Sequence, residues 1–236
     1  DQVRRAWAVQ TLNYTDSVNV PLINPETNQD WRITWVDNTT GPGNGTFENP
    51  LQGLPNQAPF SDLVLVRTGA GNTVGNINLV NNQQLLGEGT AHFINTERLG
   101  VIQLPTYAFS DTGPAPTLVP GIAGQPVVTL ANNNRVVNFD IDAPIGIVGT
   151  NITNFDLRRL NIDNANTGIR VTNGQGLGII RDVTVDMQAA GTGVLVTNNT
   201  RQPLTLDIDR LFTTGGPPGL AIDALRSPVT LTVDNF

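Results

Sequence analysis

Three aspartates and three arginines recur at one interval in the second half of this chain, and their types and spacing could do chemistry. Asp140, Asp163 and Asp186 lie 23 residues apart, and Arg135, Arg158 and Arg181 repeat that interval five positions earlier. If one interval is one turn of a coil, each set occupies a single coil position, with its members about 4.8 Å apart along the axis. A carboxylate row of this kind can bind Ca²⁺. It can also supply general acid and base to an acidic polysaccharide whose uronate groups the arginines read. The plainer reading is that these residues cap strand ends on a solvated face. There Asp and Arg neutralise one another weakly, and no metal or cofactor is called for. Spacing alone does not separate the two readings, because any residue in a repeat recurs at its period.

Other chemistries are poorly supplied. Cysteine is absent, which excludes disulfides, thiolate nucleophiles and Cys-based metal sites. The single histidine, His92, stands beside a Gly-rich turn and far from the aspartates, so its expected role is structural. Ser17, Ser61, Ser110 and Ser227 have no neighbouring histidine to suggest a hydrolase triad. All 13 basic residues are arginine, and the net charge of −7 argues against nucleic acid, which needs a basic face for its phosphates. No polybasic patch faces an anionic membrane, and no apolar run approaches the roughly 20 residues a membrane helix requires. The lack of cysteine fits an extracytoplasmic protein that does not rely on disulfides. The abrupt start at Asp1, without a signal peptide, reads as a cut inside a longer chain.

The elements that must position these residues are visible in a phrase written three times. Gly146-Ile147-Val148-Gly149-Thr150-Asn151 is followed by Gly168-Ile169-Arg170-Val171-Thr172-Asn173 and by Gly193-Val194-Leu195-Val196-Thr197-Asn198. The starts are 22 and 25 residues apart, and a degraded copy begins at Gly219. A second run, Val137-Asn138-Phe139-Asp140, recurs at Leu160 and at Val183. A third closes each unit at 152–157, 177–180, 204–208 and 229–233. Three strand-like runs per unit of roughly 23 residues, with no helical period between them, predict three short strands per coil of a parallel β-helix. A leucine-rich repeat has a similar period, but its Leu-rich consensus does not appear. The period places Val137, Leu160, Val183 and Leu211 in one inward row and Phe139, Ile162 and Val185 in another. Asn151, Asn173 and Asn198 should turn the chain sharply and stack their amides between rungs.

The chain is long enough for one or two domains, and two regions are expected: an N-terminal strand and loop cap over 1–58 and the solenoid over 59–236. Residues 1–30 alternate weakly, and 31–36 alternate clearly. Trp31 and Trp35 share one face there and suggest a plug over the open coil end. The Gly- and Pro-rich stretch 41–51 is a turn feeding the first rung. Without a following lysine or helix start it is no phosphate loop. Early strands are expected near 62–67, 77–80, 84–86 and 101–104. The pattern lapses over 105–126 as an excursion from the solenoid, where binding loops tend to grow. The chain ends near a strand with no cap, which reads as a truncated solenoid.

Trp35-Val36-Asp37-Asn38, 45–51, 62–69 and Gln84-Leu85-Leu86-Gly87-Glu88-Gly89-Thr90 together resemble the opening segment of bacterial surface proteins with a right-handed parallel β-helix, of the pectate-lyase-like superfamily. The stretch from 31 to 95 is particularly similar to passengers that follow an intimin/invasin-type (inverse autotransporter) barrel, including those of planctomycete-like bacteria. The resemblance implies an all-β, right-handed solenoid on the outer-membrane surface or outside the cell. Its enzymes use Asp and Arg from consecutive coils, and polygalacturonase-type sites add Gly-His-Gly and Arg-x-Lys elements. This chain has no lysine and one histidine.

The first functional expectation is therefore a non-enzymatic stalk or adhesion passenger that presents loops to a glycan or a neighbouring cell surface. The alternative is a polysaccharide lyase or glycoside hydrolase on the Asp/Arg face. A third is end-to-end self-association through uncapped coils. Three Trp and two Tyr, all in the first half, supply few aromatic platforms for a sugar groove, which favours the stalk.

Overall fold

The structure, a computed structural model, describes residues 22–57, 61–104, 109–224 and 228–234. The described residues form strands and turns without a helix, and the strands stack as a parallel β-solenoid of about 7 turns. The weak alternation over 1–21 lies outside the described residues.

A small antiparallel hairpin, β1 (Ile23–Asn24) and β2 (Gln29–Asp30), precedes the coil. Strand β3 (Ile33–Val36) opens the solenoid. The next coil carries β4 (Leu63–Val66), β5 (Thr73–Val74) and β6 (Ile77–Asn78). The one after begins with β7 (Gln84–Gly87) and leaves the solenoid for an antiparallel hairpin, β8 (Phe93–Thr96) and β9 (Gly100–Gln103). It returns as β10 (Thr117–Val119) and β11 (Val128–Leu130). Then come β12 (Asn134–Asp142) with β13 (Ile145–Thr150), the whole-coil strands β14 (Thr153–Thr172) and β15 (Gln175–Thr197), β16 (Leu204–Thr214) with β17 (Leu220–Asp223), and β18 (Val229–Asp234).

Three parallel ladders result. The first runs β3-β4-β7-β12-β14-β15-β16-β18, the second joins β5 and β10 to the later halves of β12 to β16, and the third joins β6, β11 and β13 to β14, β15 and β17. Inward side chains form unbroken columns. On the first ladder Val64, Leu85, Val136, Leu157, Ile180 and Ile208 stand in register, each 0 % exposed. At roughly 25 cal/mol per Å² of apolar surface removed from water, such columns supply most of the stabilisation.

The rows predicted from a constant period are shifted by two residues at β12. Phe139 pairs with Leu160, 21 residues on rather than 23, so the inner row is Phe139, Leu160, Val183 and Leu211. Ile141, not Phe139, stands beside Ile162 and Val185. Val137 faces outward, in register with Arg158. A shift of two preserves inward and outward alternation, so hydrophobic pattern alone does not detect it. The repeated phrase does keep its register: Ile147, Ile169, Val194 and Leu220 are paired in turn. Its glycines are needed for close approach between rungs. A Cβ on Gly146 would lie 2.5 Å from the carbonyl of Gly168, one on Gly168 2.6 Å from that of Gly193, and one on Gly193 2.5 Å from that of Gly219.

Two further expectations change. Residues 101–104, expected as a coil strand, belong instead to the β8–β9 hairpin, while β10 restores a rung inside the expected excursion. The tryptophans do not plug the coil end. Trp35 lies on the outer side of the first ladder, in a second core with Leu63, Leu65, Leu86 and Val137. Ile94, Leu104 and Phe109 of the insertion after β7 cover it, and Trp31 packs against its edge. Trp35 meets Phe47 edge to face at 5.1 Å and Phe109 at 6.1 Å, with the Arg67 guanidinium 5.1 Å from its ring. The free edge of β3 is closed by the 41–51 loop: Trp35 N donates to Gly45 O (2.9 Å), and Leu51 N to Trp35 O (2.9 Å). At the other end β18 pairs with β16, and Leu231 and Val233 remain 40 % and 37 % exposed.

Candidate functional site

The six chemically suggestive residues fall on two different ladders. Asp140, Asp163 and Asp186 belong to the second, but Asp140 stands opposite Asn161, and it is Asp142 that pairs with Asp163. The acidic row is therefore Asp142, Asp163 and Asp186, with Asp140 diagonal to it. Burial pushes the Asp140 carboxyl above its ordinary range, and Asp163 adds to this. Asp163 is likewise raised, by burial first and then by Asp186 and Asp142. Like charges one rung apart disfavour ionisation. Asn164 donates to Asp142 (2.7 Å), Asn161 to Asp163 (2.9 Å) and Thr214 to Asp186 (2.7 Å), so polar neighbours partly compensate. Among the described residues no group of three or more His, Asp or Glu side chains is placed to hold a metal ion.

The arginines lie on the first ladder, before the corner that separates it from the second. Arg158 pairs with Arg181 and Arg181 with Asp209, whereas Arg135 pairs with Asp156. The expected arginine column is thus also shifted by two at β12. Arg158 Nε donates to Asp156 at 2.5 Å, and Arg135 Nε lies 3.6 Å from the same carboxylate. Arg181 pairs with Asp207. Burial lowers the pKa of Arg135, with Arg158 and Arg159 acting in the same direction against Asp156. The corner itself is a third charged column, Asn138, Arg159, Asp182 and Arg210, all with left-handed φ between 52° and 67°. Arg210 donates to Asp182 and thereby holds that carboxyl below its ordinary range, while Arg159 reaches Thr90 of the insertion. Carboxylate stands beside carboxylate on one ladder and arginine beside aspartate on the other.

The asparagines behave partly as expected. Asn151 and Asn173 adopt φ of 54° and 55°, and Asn173 donates to Asn151 at 3.0 Å. Asn198 leaves the ladder. It is buried and donates to Gly174 O at 3.2 Å, while Asn199 N takes its place on Asn173. A second ladder, not anticipated, climbs the neighbouring corner. Asn133 donates to Asn82 and Asn154 to Asn133, each at 2.9 Å, and the Asn154 carbonyl accepts from Leu177 N at 2.8 Å. Its signal lay in the runs 81–82 and 132–134, at spacings the main repeat does not share because of the insertion.

Beside this second ladder the outer face carries a groove of about 570 Å³, within the range of small-molecule and cofactor sites. Its floor is the column Gln84, Arg135, Asp156 and Ile179, four successive rungs in register. Glu26, from the turn between β1 and β2, is part of its wall. Gln84 Oε1 and Arg135 Nε are buried in this floor with no hydrogen-bond partner.

His92, expected to be structural, is 2 % exposed under the insertion. Its Nε2 donates to Gly87 O at 2.7 Å, its ring tilts against Phe109, and Nδ1 has no partner. Burial lowers its pKa to about 4.

With this geometry described, comparison with known proteins adds no relative. No family model matches the chain, and neither a curated protein nor a solved structure matches it.

Proposed function

We propose that this chain is a non-enzymatic module of a bacterial surface protein, an extracellular β-solenoid serving as a stalk or adhesion passenger. One observation carries the reading. The solenoid is continuous over about 7 turns, while its candidate catalytic side chains are divided between two ladders, Asp163 and Asp186 bonded to Asn161 and Thr214 and the arginines ion-paired to Asp156 and Asp207. Such a structure resists bending because each rung is hydrogen-bonded to its neighbours throughout. Adhesion to a glycan or to a neighbouring cell surface would use the outer face, because the interior is filled with aliphatic columns. The 41–51 loop already bonds the β3 edge, which argues against end-to-end association through that edge. Among the described residues no helix is long and apolar enough to cross a membrane.

The test is a panel of acidic and neutral polysaccharides incubated with the protein, with and without Ca²⁺. Absorbance reads unsaturated products and a reducing-sugar assay reads hydrolysis. No turnover is expected. Product formation that is lost in Asp163→Asn would promote the acidic row to an active site and establish the lyase or hydrolase alternative. Protease shaving of intact source cells tests the location: release of solenoid peptides is expected, and their retention inside the cell would refute a surface role.

A further inference from the structure

We propose that the β8–β9 hairpin is an acid-released flap, latched over the second core by His92. A flap of this kind goes beyond the surface-module reading and does not depend on it. His92 stands just before β8, and its Nε2 donates to Gly87 O (2.7 Å) at the end of β7. Leu104 N, just after β9, donates to His92 O (2.8 Å), so the chain leaves and returns past this one residue. Among the described residues β8 and β9 pair with each other and with no rung of the solenoid. The hairpin can therefore lift by local opening without breaking a ladder. Its inner face presses Ile94, beside Leu104 and Phe109, onto Trp35, Leu65, Leu86 and Val137. Its outer face meets solvent, with Phe93 48 % and Val101 69 % exposed. Away from that core it is held by Glu97 N donating to Ile23 O (3.0 Å) and Trp31 Nε1 to Asn95 O (2.9 Å).

The latch accommodates a neutral imidazole and not a charged one. His92 is 2 % exposed, and donation from Nε2 leaves Nδ1 as the acceptor nitrogen, buried and without a partner. A second proton would go to Nδ1 and find no acceptor there, in a site where burial already disfavours charge. The charges that act on the ring are Arg135 from β12 and Arg159 from β14, both positive. The carboxylates of the surrounding elements are engaged elsewhere. Glu88 accepts from Thr68 N and Ser110 N, and Asp111 from Gln103. Asp156 pairs with Arg158, and Asp37 with Arg67. Lifting the hairpin gives Nδ1 water, so the proton binds the opened state and acid favours opening. Docking is complete above pH 6.5 and weakens as pH falls toward about 4, where burial has placed the folded-state pKa of His92. Over that range the opened fraction rises about a hundredfold.

The chain has no cysteine, so a single introduced thiol reports the opening. Val137→Cys places it in the second core, and Val136→Cys, at the adjacent residue of β12, places it inside the solenoid. Both are labelled with a dipyridyl disulfide, which reacts in acid, and each rate is divided by that of a free thiol at the same pH. Between pH 7 and pH 4 labelling of Val137→Cys should quicken about a hundredfold, while Val136→Cys stays protected. Adding His92→Gln, which keeps a donor for Gly87 O but does not titrate, should hold labelling near its pH 7 rate throughout. His92→Phe, an apolar replacement, should do the same, and Glu88→Gln should preserve the acid response. A rate that does not change with pH in the Val137→Cys protein overturns the latch, as does equal acceleration of Val136→Cys. So does an acid response that survives in folded His92→Gln or His92→Phe proteins, or one that disappears in Glu88→Gln.

Discussion

One column of the first ladder passes through both halves of the molecule and changes character on the way. It reads Trp35, Leu65, Leu86, Val137, Arg158, Arg181 and Asp209, one residue per rung and all on the outer side. In the early coils these side chains are buried beneath the insertion after β7, in a core separate from the solenoid interior. In the later coils the same position meets solvent and carries charges paired to neighbouring residues, Arg158 to Asp156, Arg181 to Asp207 and Asp209 to Arg210. The backbone is the same parallel ladder throughout, so the difference lies in what covers it. An aliphatic outer row is stable only where a second layer removes it from water, and charged residues take over where that layer stops.

The largest test strikes the interior that both regions share. Leu160 is 2 % exposed between Phe139 and Val183. Leu160→Asp should abolish cooperative unfolding altogether, because an unpaired charge is buried, whereas Leu160→Val should cost about 1 kcal/mol. A Leu160→Asp protein that still melts cooperatively would refute the register.

Trp35→Ala separates the halves. It should cost about 3–5 kcal/mol through the second core. Hydrogen exchange should quicken in β3, β4 and the insertion, while β14 to β16 stay protected. Equal loss of protection in both regions would show that the second core is not an independent layer.

Acid should act on the same region. His92 is held neutral, with a folded-state pKa of about 4 against an ordinary 6.5. Above pH 6.5 neither folded nor unfolded His92 binds a proton, and the docked insertion has its full stability. As pH falls from 6.5 to about 4 only the opened state takes up the proton, so docking weakens by about 3 kcal/mol in total. Burial is the main cause of that shift, and Arg135 and Arg159 act with it. Selective proteolysis of the insertion near pH 4.5, absent in His92→Phe, is the expected result. An insertion equally protected at pH 4.5 and 7 would discount the role of His92.

Gly168→Ala should cost about 2 kcal/mol, since its Cβ meets the Gly193 carbonyl and Val185. Thermal melts read this directly, and an unchanged melting temperature would show that the rungs can separate. The smallest effect belongs to the exposed half of the column. Arg158→Met should change stability by less than about 1 kcal/mol, because its partner Asp156 remains near Arg135 and solvent screens the pair. A larger loss would mean that the ion pairs, not the aliphatic columns, hold the later coils together.

Much of this architecture was legible in the residues alone. The thrice-written phrase predicted stacked coils, and Gly146, Gly168 and Gly193 proved to stand where adjacent rungs press closest. Asn151 and Asn173 turn the chain as their type suggested, because their short amide tolerates a left-handed backbone and reaches the next rung. The candidate site was less legible. Asp140 and Arg135 left their expected columns because one coil is 21 residues long rather than 23, and a shift of two leaves every inward residue inward. The local pattern determined that the chain coils and which side chains face in, since both follow from alternation and turn chemistry. Only the tertiary structure decided that Trp35 lies beneath an insertion rather than over an open end, that Gln84 and Arg135 floor one groove with Glu26, and that the aspartates and arginines lie on separate ladders. Those outcomes depend on contacts between residues distant in the chain, about which a repeat period carries no information.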